Sequence, residues 1–157
     1  MPRVTVREAD LNGADAAVAG TLIRAYLVQT ESEKLAHLGR GALVLSDAHE
    51  REAADLSGAY TDSAVLLAEV DGVPSGVVVV RTSEGELKRF WTAPGARGLG
   101  VGSALLDAAI TLCRGDARLS VWEWRAPALR LYESRGFMRV DSWEARAGLV
   151  CMVRRAV

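Results

Sequence analysis

The sequence predicts an α+β fold of the α/β/α kind, a mixed sheet with helices packed against it, and three observations carry that expectation. Two runs rich in Val and Leu, Ala64 to Val70 and Gly76 to Arg81, flank Asp71-Gly72-Val73-Pro74-Ser75, whose turn chemistry makes the pair an antiparallel hairpin. A strand over Glu86 to Thr92 then leads through a glycine-rich turn into an amphipathic helix from Ser103 to Arg114. Beyond it, a strand from Arg118 to Trp124, a helix opening near Pro127, and two closing strands, Phe137 to Glu144 and Leu149 to Arg154, complete the pattern.

The remaining elements follow in order. Val4, Thr5 and Val6, ahead of charged Arg7 and Glu8, form a short first strand, and Ala17, Val18, Leu22 and Tyr26 place a helix over Ala14 to Leu27. From Gln29 to Asp62 the pattern weakens, with a short helix expected to open at Asp47, where Asp47 and Glu50 resemble a capping box. Within 103–114 the stripe Leu105, Ala108, Ala109 and Leu112 faces a core, and Gly115 is placed to end the helix. Pro127 suits the first turn of the next helix and Gly136 its C-terminal cap.

At 157 residues, half of them hydrophobic, the chain has the size of a single domain over 1–157 with one substantial core. A formal charge of −1, from 19 basic and 20 acidic residues, provides no global field to draw nucleic acid or an anionic bilayer. Cys113 and Cys151 lie in apolar surroundings without the Cys/His spacing of a zinc site, so they are expected as buried free thiols and no metal is expected. The N-terminus lacks the apolar stretch of a signal peptide, and no run approaches the ~20 residues of a membrane span. A soluble cytoplasmic protein is the expectation.

The chemistry concentrates at Arg97-Gly98-Leu99-Gly100-Val101-Gly102, after a strand and at the opening of a helix. There backbone N–H groups and the helix dipole can hold a phosphate, and glycine lets the backbone approach the anion. A P-loop needs Gly-Lys-Ser/Thr, which this turn lacks. A Rossmann fingerprint needs glycine or alanine where Ser103 stands, and the roughly 55 residues that remain are too few for its usual half-folds.

The turn instead resembles the acyl-CoA motif of GNAT acetyltransferases, Gln/Arg-x-x-Gly-x-Gly/Ala, with Arg97, Gly100 and Gly102 at its defining positions. A second block, Arg125-Ala126-Pro127-Ala128-Leu129-Arg130-Leu131-Tyr132-Glu133-Ser134-Arg135-Gly136-Phe137, is similar to that family's Asn-x-x-Ala-x-x-x-Tyr-x-x-x-Gly-Phe segment in all but its first residue. The resemblance implies a mostly antiparallel sheet of six to seven strands with one splayed parallel pair and about four helices. It implies acetyl-CoA as cosubstrate, its pyrophosphate on the backbone of Arg97, Gly98, Leu99, Gly100, Val101, Gly102 and Ser103, and its pantetheine arm paired along Phe90, Trp91 and Thr92. A homodimer would also fit, since dimers are common in the family. Arg125 replaces the family's asparagine; a charged group there must face water or an anion, so a CoA phosphate contact and a solvated helix entry both stand.

By the same resemblance Tyr132 protonates the leaving thiolate and a backbone N–H near Trp91 holds the oxyanion. Acylation requires a neutral amine, and Glu86 and Glu123, on the two strands that splay apart, are the candidate bases. The expected reaction is acetyl transfer from acetyl-CoA to a primary amine of a small molecule or peptide. A non-catalytic acyl-CoA-binding or regulatory module is the alternative, and acetylation of charged RNA is disfavoured by the near-neutral charge. Substrate choice is expected to come from the first helices, where Glu31, Glu33, Asp47, Glu50, Glu52, Asp55 and Asp62 favour a cationic amine. Trp91, Trp122 and Trp124 are candidate pocket walls; His37 and His49 stand in no motif.

Overall fold

A computed structural model describes residues 1–157. Its seven strands are β1 (Val4–Glu8), β2 (Ala64–Val70), β3 (Val73–Arg81), β4 (Glu86–Thr92), β5 (Ala117–Trp122), β6 (Met138–Val140) and β7 (Leu149–Arg154). They form one sheet in the order β1-β2-β3-β4-β5-β7-β6. Every neighbouring pair is antiparallel except β4 and β5, as the resemblance implied.

The helices are α1 (Asp15–Leu38), α2 (Asp47–Ala54), α3 (Leu56–Ala59), α4 (Val101–Leu112) and α5 (Ala126–Ser134). Successive strand side chains point to opposite faces, so β2 and β3 feed two cores. Leu66, Ala68, Val78 and Val80 pack beneath α4 and α5, while Val65, Leu67, Val77 and Val79 pack beneath α1 and α3. Burial on both faces explains why these strands read as continuous apolar runs rather than alternating ones.

Several boundaries differ from the sequence reading. The β2–β3 turn is Asp71-Gly72 alone, with φ of 51° and 82°, the two left-handed positions that a tight hairpin needs. Val73, Pro74 and Ser75 therefore belong to β3. α1 continues through Leu38 and is closed by left-handed Gly39. The cap of α2 is Ser46, whose Oγ accepts from the His49 N–H, so Asp47 is the first helical residue and not the cap. α3, a single turn capped by Asp55, has no periodic signal. α4 starts at Val101 because Gly100 is left-handed, and ends at extended Cys113, ahead of Gly115. β5 stops at Trp122, where the chain turns back with the Arg125 N–H on the Trp122 carbonyl, 3.0 Å. β6 is only three residues long.

The parallel pair shares a single register position, Glu86 with Arg118. Next to it the Arg118 N–H donates to the Gly85 carbonyl at 2.8 Å. Gly85 has φ of +65°, and a Cβ there would stand 2.1 Å from the Asp116 carbonyl oxygen. This contact fixes the point from which β4 and β5 diverge. Gly85→Ala is expected to cost about 2 kcal/mol or more through combined backbone strain and overlap. Urea denaturation checks it; an unchanged midpoint would show that the junction yields.

Candidate acyl-CoA and acceptor site

Past Glu86 the divergence of β4 from β5 leaves the β5-facing edge of β4 without a strand partner, and two cavities occupy the gap. The larger, about 660 Å³, runs from Phe90, Trp91 and Thr92 to the glycine turn and the first turn of α4. The smaller, about 220 Å³, lies between β4, β5 and α1 and reaches Glu86 and Tyr132. They share Phe90, Arg125 and Ala128 as a common wall.

The glycine turn has the conformation that its composition calls for. Gly98 and Gly100 have φ of 82° and 86°, and a Cβ on either would meet nothing within 4 Å, so the turn is open on its outer side. α4 has no side-chain cap, and none of the turn and cap hydrogen bonds comes from the N–H groups of Gly98 to Ser103. Those donors and the positive end of the helix dipole lie along the larger cavity. Leu99 is the exception in the predicted set, being 42% exposed and outside the lining. Arg97 folds back, donating to the Thr92 carbonyl at 3.0 Å and to Gln29 Oε1 at 2.9 Å.

Tyr132 comes from α5, which buries Leu129 and Tyr132 against the sheet. Its ring meets Phe90 edge-on at 5.7 Å and Phe137 at 5.8 Å, and it lines the smaller cavity. Burial pushes the phenol well above its usual range, so the hydroxyl keeps its proton at any working pH. Glu86 lines the same cavity, with Arg81 as its nearest cation at 3.5 Å. Glu123 does not lie on a strand: it follows the end of β5, is exposed and lines neither cavity.

Arg125 is neither a solvated residue nor aimed at a phosphate. Its guanidinium donates to Glu33 Oε1 and to Thr30 Oγ1, both at 2.8 Å, and lies over the Tyr26 ring. Glu33 also accepts from Trp124 Nε1 at 2.9 Å and from Gln29 Nε2 at 2.6 Å, while Gln29 Oε1 accepts from Trp91 Nε1 at 2.9 Å. Burial opposes ionisation of Glu33, but the donors on Gln29, Trp124 and Arg125 outweigh it and hold the carboxyl below its usual range. One helix thus ties together Trp91 and Arg97 on one rim of the gap and Trp124 and Arg125 on the other.

Apart from Glu33, expected among the acidic residues of the first helices, these α1 residues are the part of the site that the sequence reading missed. Gln29, Glu33 and His37 line the larger cavity and Tyr26, Thr30 and Lys34 the smaller, two stripes at a spacing of four. That spacing was available as a signal, but beyond Leu27 the stripes are polar because they face a cleft, so apolar periodicity announced only the first part of the helix. His37 stacks on Trp124 at 4.5 Å, and Trp124 on Trp122 at 4.8 Å. Trp91 and Trp124 line the larger cavity and Trp122 the smaller. Of the acidic residues expected to shape the acceptor pocket, only Glu31 lines the smaller cavity.

β4 carries a bulge between its pairings Lys88 with Val79 and Trp91 with Val77, and Arg89 there has φ of +56°. A non-glycine residue in that region is strained, so something must hold it. Glu52 of α2 does, accepting from Arg89 Nε at 2.8 Å and NH2 at 3.0 Å, and also from the Tyr60 hydroxyl.

A model of the Acetyltransferase (GNAT) family matches residues 32–137. The chain belongs to that family. Solved structures share the fold along nearly the whole chain. An acetyltransferase of the GNAT family from Staphylococcus aureus has 14% identity and a TM-score of 0.69, covering 98% of this chain and 99% of its own. The PaiA N-acetyltransferase of Thermoplasma acidophilum, solved with coenzyme A, has 17% identity and a TM-score of 0.66, covering 98% and 99%. The yncA protein of Salmonella typhimurium, solved with its cofactor acetyl-CoA, has 23% identity and a TM-score of 0.66, covering 97% and 93%. At these identities the likeness establishes the fold alone. Comparison with curated proteins returns no match. No helix is long and apolar enough to cross a membrane.

Burial opposes ionisation of Glu52, but the hydrogen bonds from Arg89 and Tyr60 outweigh it and hold the carboxyl below its usual range. Glu52→Gln is therefore expected to lower stability by about 2 kcal/mol at neutral pH. A carboxyl depressed on folding contributes fully above its unfolded pKa of about 4.3 and loses the contribution as pH falls through the lower folded value. The gap between wild type and variant should close over that acid range in urea titrations.

Proposed function

We propose that this protein transfers an acetyl group from acetyl-CoA directly to a primary amine of a small molecule or peptide, with residues 1–157 acting as one transferase unit. The observation that carries the reading is the meeting of two cavities across the β4–β5 gap, with Tyr132 beside their shared wall. The residues fit the CoA arm: two left-handed glycines with open space where a Cβ would stand, an uncapped helix start, and an unpaired strand edge along Phe90 to Thr92.

In this reading the N–H groups from Gly98 to Ser103 take the pyrophosphate, the Arg97 N–H being held by the Pro94 carbonyl, and the free edge of β4 takes the amide-bearing arm as an added strand. The bulge at Arg89 turns the following backbone, and an N–H near Trp91 polarises the thioester carbonyl. Glu86, through water, removes the ammonium proton; Glu123 lies too far outside the cavities to share that task. The amine nitrogen then bonds to the carbonyl carbon, the carbon–sulfur bond breaks as Tyr132 gives its proton to the departing sulfur, and the proton shed by the new amide nitrogen passes through water to restore the Tyr132 phenol. Two free cysteines suit a reducing compartment, so we place the reaction in the cytoplasm.

The test is an acetyl-CoA-dependent screen over polyamines, aminoglycosides, amino acids and peptides, with product mass read directly. Tight acetyl-CoA binding without turnover across the panel would favour the non-catalytic acyl-CoA-binding module instead. With an accepted amine, Tyr132→Phe is expected to lower kcat roughly 10²-fold. Calorimetry should find its acetyl-CoA affinity unchanged, since the ring and its packing are kept.

A further inference from the structure

We infer that the amine acceptor also carries a carboxylate, as a free amino acid does; this rests on the transferase reading above. The charges around the smaller cavity point to it. Five cations, Lys34, Lys88, Arg89, Arg125 and Arg146, line it against three carboxylates, Glu31, Glu86 and Glu144. Most are already matched: Lys34 by Glu31 at 2.7 Å, Arg146 by Glu144 at 3.2 Å, Arg89 by Glu52 and Arg125 by Glu33 at 2.8 Å. Ser120 also donates to Glu144 at 2.7 Å, and this bond, ahead of Arg146, keeps that carboxyl ionised below its usual range.

What remains is Lys88, which forms no ion pair or side-chain hydrogen bond and feels only the field of Glu52, a carboxylate already held by Arg89, and Glu86, whose contact with Arg81 is long at 3.5 Å. Two residues apart on β4, they project to the same face, roughly 7 Å from each other along the strand. That is the face covered by α1 and α2, and His49 of α2 lines the cavity with its Nδ1 buried and without a partner. An ammonium without an ion pair complements an anion, and the loosely held Glu86 complements an amine. A polyamine would set a second cation against Lys88 in a partly dehydrated space, where repulsion is strong. The cavity volume of about 220 Å³ suits an acceptor of amino-acid size.

The experiment compares proteinogenic amino acids with their carboxamides and their decarboxylated amines. These two series bracket the amino acid's own amine basicity, so a preference over both reads the carboxylate. A kcat/KM advantage of about tenfold or more is expected for the amino acids, the worth of one charge-assisted contact. Lys88→Met should remove that advantage by raising KM for the amino acid while KM for acetyl-CoA stays as it was. Lys88→Arg should restore it, which separates lost charge from lost folding. Equal or better turnover of either carboxylate-free series, or a preference unchanged in Lys88→Met, would overturn the inference and leave the transferase reading intact. Absence of turnover with every series, when a peptide or aminoglycoside is acetylated, would overturn this inference alone; silence across that wider panel as well, in protein that binds acetyl-CoA, would overturn the transferase reading with it.

Discussion

Everything in the site depends on the parting of β4 from β5. In a closed sheet the two strands would satisfy one another along their length. Here they hold one register position, at Glu86 and Arg118, and then separate. β5 takes its partner from β7 and β4 from β3, so each stays in the sheet while their facing edges do not meet. Parting thus creates a cleft through the sheet and lines it with backbone groups.

A gap of this kind needs its rims held. α1 crosses it, and Gln29 and Glu33, bonded to each other at 2.6 Å, reach the two sides. Gln29 holds Trp91 and Arg97, Glu33 holds Trp124 and Arg125, and the two sequence motifs are thereby set at a fixed distance. Beneath the gap, the strained backbone at Arg89 is held from α2 by Glu52. The helices on this face therefore shape the site as well as cover it. Every arginine that lines the smaller cavity is neutralised by a carboxylate, which is why the one lysine there without an ion pair, Lys88, stands out.

Most of the fold was legible because its signals are local. Continuous apolar runs marked β2 and β3, Gly98 and Gly100 marked the turn that opens α4, and Pro127 and Gly136 framed α5. The elements that escaped owe their form to contacts distant in sequence. The second half of α1 carries an unbroken polar run from Gln29 to Lys34, and its helical path is plain only beside the cleft that Gln29, Thr30 and Glu33 face. Trp124 continues the β-rich pattern of its strand, yet its indole bonds to Glu33 and the strand ends two residues earlier.

By itself the sequence determined the succession of strands and helices apart from α3, the glycine turn that opens α4 and the tyrosine of α5, since each depends on backbone preference or spacing within one element. Tertiary structure alone decided what Arg125 does, because a charged side chain takes whichever counter-charge the fold brings within reach, and here that is Glu33, 92 positions away. It also separated Glu86 from Glu123: both occur near strand ends, but only the first lies where the strands part. The charge balance of the smaller cavity is likewise a sum over α1, α2, β4 and the segments before α5 and β7, and no single segment contains it.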